Sequence, residues 1–132
     1  MSYPIGSIVN IPVTPYTIPT NSTGSTTINT NTTTSSAVPA GTWLLTGYFF
    51  YGNPDNLIFS KMCICEIKQS TTTICKVGTG NAYNAQFGYF SGALSGYIVS
   101  DGTKQITITH GGLQTNGGAA SCQTTLSLVR VA

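Results

Sequence analysis

From Pro39 to its last residue the chain is a succession of short runs rich in Val, Ile, Thr, Tyr and Phe, each stopped by Gly, Asn, Asp or Ser. None of these runs repeats its apolar residues with the ~3.6-residue period of a helix. Thr42 to Tyr51 (TWLLTGYFFY) is apolar on both faces, which predicts a central strand, and Gly52-Asn53-Pro54-Asp55 stops it. Leu57 to Lys68 and Thr72 to Val77 flank a polar Gln69-Ser70-Thr71 turn and read as a hairpin. A hairpin centred on Ser70 sets Cys65 opposite Cys75, in contact but unbonded. Gly78 to Gln86 reads as a loop, Phe87 to Phe90 as a short strand and Leu94 to Ser100 as another. Asp101-Gly102 is a turn signal before Lys104 to His110 (KQITITH), which alternates with Ile106 and Ile108 on one face and makes a second hairpin. Gly111 to Ala120 is glycine-rich loop, and Thr124 to Val131 is the final strand. About eight strands and no convincing helix predict an all-β, antiparallel jelly-roll or Greek-key sandwich. The length of 132 residues suits a single such domain.

Residues 1 to 38 differ in kind. Pro4, Pro12, Pro15 and Pro19 exclude a helix and interrupt any ladder, while a Thr-rich stretch from Asn21 to Ser36 offers almost nothing to bury. Yet Ile5, Ile8, Val9, Ile11, Val13, Tyr16 and Ile18 are too apolar for a tail in water. The expectation is an extended N-terminal arm (1–38) attached to one domain (39–132), with those seven residues as its interaction surface. They could cover the sandwich's own edge or reach a neighbouring subunit, and both readings stay open. Asn21-Ser22-Thr23 and Asn31-Thr32-Thr33 match the glycosylation acceptor pattern.

Residues able to carry chemistry are scarce. There are one histidine and three acids, Asp55, Glu66 and Asp101. The two aspartates sit in turn contexts where they cap backbone, and Glu66 is set to pair with Lys68 or Lys76. His110 therefore lacks the partners of a catalytic triad, and no pair of carboxyls is placed for glycosidase chemistry. Cys63, Cys65, Cys75 and Cys122 lack the close turns of a zinc knuckle and read as buried free thiols. Gly78-Thr79-Gly80 and the glycines near Gly111 precede no helix that could cradle a phosphate. No catalytic residue, cofactor or metal is expected.

Charged residues are only 6% of the chain, against about 25% in an average soluble domain, so the surface is built from hydroxyls, amides and apolar atoms. Such a surface associates readily. The five cations are scattered, which disfavours nucleic-acid binding through phosphates. No apolar stretch is long enough for a spanning helix, and the first residues lack the basic start and apolar core of a signal peptide.

Three stretches carry a resemblance: VPAGTWLLTG at 38–47, LSGYIV at 94–99 and TLSLVRVA at 125–132. With them, residues 38 to 132 resemble short single jelly-roll virion proteins of large icosahedral double-stranded DNA viruses. A looser similarity links them to C1q and tumour-necrosis-factor-like jelly rolls. The resemblance implies a capsid location and a role as penton or minor capsid protein, since the chain is too short for a double jelly-roll major capsid protein. It also implies identical subunits as partners, pentameric or trimeric, with other capsid proteins beside them. The alternative it implies is a trimeric binding module for a receptor or glycan.

Overall fold

The computed structural model describes residues 3–22, 27–53, 59–79, 83–85, 88–114 and 120–132. Its strands are β1 (Ile8–Ile11), β2 (Tyr16–Ile18), β3 (Asn29–Thr34), β4 (Gly41–Asn53), β5 (Phe59–Gln69), β6 (Thr72–Gly78), β7 (Tyr83–Ala85), β8 (Gly88–Ser100), β9 (Ile106–Leu113) and β10 (Ala120–Arg130). They form two antiparallel sheets. The first runs β1-β10-β4-β8, with β2 continuing the line of β1 along β10; the second runs β3-β9-β5-β6, with β7 on β5. Apart from β1 with β2 and the run β5, β6 and β7, strands adjacent in sequence thus alternate between sheets, and the last strand lies between β1 and β4. Two interlocked Greek keys of this kind make a jelly roll.

Alternation of side chains explains the core. Along β10 the inward residues Cys122, Thr124, Leu126 and Leu128 are buried, while Ser121, Gln123 and Thr125 between them are exposed. Trp43, Leu45, Phe49 and Tyr51 of β4 meet Ile106 and Ile108 of β9 and Cys63, Cys65 and Ile67 of β5 in the interior. Trp43 satisfies its indole N–H on the Pro39 carbonyl at 2.8 Å, so its burial leaves no donor unpaired.

The N-terminal segment is not a separate arm. Its β1 and β2 pair with β10, and its β3 pairs with β9. Ile11, Ile18 and Val38 are buried in the common core, so the boundary expected at residue 38 divides nothing. Pro12 and Pro15 fall between β1 and β2, where they interrupt an outer strand without breaking a central ladder. Arg130 fastens the beginning of the chain, bonding the Tyr3 carbonyl through its guanidinium, and Tyr3 packs edge-on against Trp43.

Other expectations change in detail. Cys65 stands opposite Val77, and Cys75 opposite Ile67, because the turn holds two residues, Ser70 and Thr71, and Ile74 is an extra residue between Thr73 and Cys75. This bulge follows a tight turn in which Ser70 takes a left-handed φ of 58°. It brings Ile74 onto β8: a Cβ on Gly96 would lie 2.6 Å from Ile74 Cγ2, so only glycine lets β6 come this close. The short strand and its successor expected at 87–90 and 94–100 are one strand, β8, although Phe87 itself lies outside the described residues. β8 and β9 are not a hairpin, since the Asp101 turn carries the chain from one sheet to the other. The loop expected over 78–86 contains β7.

Candidate assembly face

The first sheet has an inner face in the core and an outer face that the other described residues leave uncovered. Within β1, β2, β4, β8 and β10 a single residue, Arg130, is charged, and its side chain turns aside to the Tyr3 and Ala132 carbonyls. The outer face is therefore free of charge. Register places Ile8, Val129, Leu44 and Tyr97 in one row crossing all four strands. Ile8 is 65% exposed and Tyr97 65%, and Val99 and Tyr89 stand out similarly at 67% and 58%. Beside the apolar row run Asn10, Ser127, Thr46 and Ser95, with Asn10 accepting a 2.8 Å hydrogen bond from the Ser127 hydroxyl.

The second sheet is built otherwise. Its outer face carries Thr30, Thr32 and Thr34 on β3, Thr107 and Thr109 on β9, and Glu66, Lys68 and Lys76 on β5 and β6. Glu66 lies 3.7 Å from Lys68, accepts a 2.8 Å bond from Thr73 and stands opposite Lys76. Both partners weighed for it are at hand. Asp101 lies at the β8–β9 turn, where its carboxylate accepts the Thr103 hydroxyl and backbone N–H and is held below the usual range by those two bonds. Asp55 lies outside the described residues. The domain is thus two-sided, with a hydrated sheet and an uncharged one. Depletion of charge and enrichment of aromatic side chains mark protein contact surfaces.

Strands ~4.8 Å apart and about eleven residues long give this face an area on the order of 700 Å². A stable partner contact buries about 800 Å² on each side. One sheet face therefore comes close to the size of one such contact.

The seven apolar residues expected to form an interaction surface divide. Ile11 and Ile18 are buried in the core, and Val9, Val13 and Tyr16 pack against it half-buried. Ile5 and Ile8 remain outward, 72% and 65% exposed, and Ile8 belongs to the apolar row. Leu44, Tyr97 and Val99 were absent from that expectation. The signal for Leu44 was present in the doubly apolar pattern of 42–51, which a strand covered on one side does not need.

The reactive groups gather in the interior instead. His110 is fully buried, its Nδ1 hydrogen-bonded at 2.8 Å to the Thr124 hydroxyl, which also lies 3.6 Å from Cys65 Sγ. Tyr16 stacks on the imidazole with ring centres 6.3 Å apart. Burial pushes the Cys65 thiol up to about 11 and the Cys122 thiol up to about 12, so both stay protonated and unreactive near neutrality. Among the described residues no three His, Cys, Asp or Glu side chains gather as a metal site. Comparison with protein-family models and with curated proteins returned no match.

Proposed function

We propose that this protein is a structural subunit of a viral capsid, a penton or minor capsid protein, which packs the outer face of its first sheet against identical copies. The observation that carries the proposal is the uncharged face crossed by Ile8, Val129, Leu44 and Tyr97. The jelly-roll strand order and the resemblance of residues 38 to 132 to single jelly-roll virion proteins supply the viral part of the reading. Water gains from covering such a face at ~25 cal/mol per Å² of apolar area, and no ion pair has to be desolvated in exchange.

The test is the native mass of the purified protein, by sedimentation at micromolar concentration, beside that of a Tyr97→Lys chain. A closed oligomer of five copies, each offering this face to one neighbour and a different surface to the next, is expected from the wild type, with at least tenfold weaker association and an unchanged melting temperature in the variant. A strictly monomeric wild type sinks the proposal. The exposed tyrosines of the same face support a second reading, a trimeric module for a receptor or glycan. A mass of three copies with saturable sugar binding, quenched on Tyr97→Lys, would select it.

A further inference from the structure

Sheet edges present unpaired backbone groups, and among the described residues several edge strands are guarded. Pro12 and Pro15 break the β1–β2 edge, and β6 and β8 lean on each other where Ile74 meets Gly96. The edge strand β3, Asn29–Thr34, carries no such guard: its sequence NTNTTT holds no proline, no charge and no bulge. Thr30, Asn31, Thr32 and Thr34 are exposed.

The ladder fixes which of its backbone groups are unused. Ser35 N–H donates to the Ile106 carbonyl at 2.9 Å, continuing the register in which Thr34 faces Thr107. Hydrogen-bonded and non-bonded pairs alternate in an antiparallel ladder, so Thr33 and Asn31 also bond inward to β9. Thr30, Thr32 and Thr34 then direct their N–H and C=O groups away from the sheet. Thr32 and Thr109 agree with this, because their hydroxyls meet at 2.9 Å, as side chains do at the closer, non-bonded positions.

We propose that β3 pairs antiparallel with β3 of a second copy about a twofold axis at Thr32, joining two second sheets into one continuous sheet. In that register Thr32 faces its own copy, Thr30 faces Thr34, and Asn31 faces Thr33. Each pair keeps both side chains on one face, and the outward groups of all three threonines are satisfied, two bonds to each pair. Moving the axis to Asn31 or Thr33 leaves some of them unpaired. The outer face gains a row of hydroxyls running Thr109, Thr32, Thr32, Thr109, repeating across the axis the Thr–Thr pairing already present within the chain. The absence of charge on β3 is what makes this strand complementary to itself.

Six residues of edge pairing bury less than the ~800 Å² per partner of a lasting contact, so the edge acts where copies are already held close. It goes beyond the face contact and shares no residue with it.

Amide exchange reads the three threonines directly. The N–H groups of Thr30, Thr32 and Thr34 should exchange at least tenfold more slowly in the associated protein than in dilute protein, while those of Asn31 and Thr33 stay protected in both. Thr32→Pro removes an N–H that the chain itself does not use, so the domain should fold and the protection at Thr30 and Thr34 should vanish. If that chain fails to fold, Thr32→Lys sets two cations face to face at the axis. It should abolish the protection at low salt and restore part of it at high salt. Association of the wild type with free exchange at the three amides overturns the edge pairing and leaves the face contact standing. A monomeric wild type with exchange independent of concentration overturns both.

Discussion

The imidazole of His110 and the hydroxyl of Thr124 share a 2.8 Å hydrogen bond that joins the two sheets through the interior, β9 on one side and β10 on the other. The opposite ring nitrogen, Nε2, is buried with no hydrogen-bond partner among the described residues. Tyr16, Phe49 and Thr124 face the ring, none of them an acid, and Glu66, next to the Cys65 that pairs with His110, points to the other side of β5. Burial therefore holds the His110 pKa below its ordinary value, and the Thr14 backbone opposes this only in part.

Stability should accordingly depend on acid. With the folded pKa below the unfolded value of ~6.5, the unfolded chain binds more protons between the two, so stability rises with pH there. The contribution is complete above about pH 6.5 and is lost as pH falls through the folded pKa. Melting temperature followed from pH 7.5 to 4.5 should fall below ~6.5 in the wild type and stay flatter in His110→Gln. Equal slopes in the two would place the sensitivity elsewhere.

Leu44 and Leu45 are neighbours in sequence on opposite faces of β4. Leu45→Ala should cost the domain ~2–5 kcal/mol, because a fully buried leucine leaves a cavity. Leu44→Ala should change domain stability by about 0.5 kcal/mol or less and weaken self-association instead. Urea unfolding and sedimentation of the two variants make the comparison.

Removal of residues 1–20 should destabilise the domain itself, by about 3 kcal/mol or more, since Ile11 and Ile18 are core residues and burial of each contributes ~1.5–3 kcal/mol. Unchanged unfolding of the truncated chain together with lost assembly would restore the arm as a separate gripping element.

Cys63, Cys65, Cys75 and Cys122 are all free. A thiol reagent at pH 8 should modify the half-buried Cys75 first, and the other three only as fast as the domain opens. In denaturant without reductant four thiols should react; two would mean a disulfide.

Alternation made much of the fold readable, and the inward set Ile106 with Ile108 follows from period two alone, whereas in β4, apolar on both faces, it could not say that Trp43 and Leu45 rather than Leu44 turn inward. Two further features escaped it. The register of β5 on β6 depends on one inserted residue, Ile74, whose reason is a glycine on another strand, Gly96, twenty-two positions away. The fate of the first 38 residues was undecidable because apolar residues between prolines suit an outer strand as well as a reaching arm. The assembly face was half visible. A strand apolar on both sides signalled a missing cover, but Tyr97, Val129 and Ile8 join Leu44 only through the pairing of first, last and middle strands.

That same pairing sets a timetable for synthesis. β10 lies between β1 and β4, so the first sheet cannot close until the final strand has been translated. At ~5–20 residues per second, β4 waits roughly 4–15 s after its own synthesis for β10 to pair its second edge. A chain cut short before β10 also lacks the strand that aligns Ile8 with Leu44, and so never presents the row by which copies would recognise one another. Under the proposed face contact, recognition between copies would therefore wait on the placement of β10 between β1 and β4.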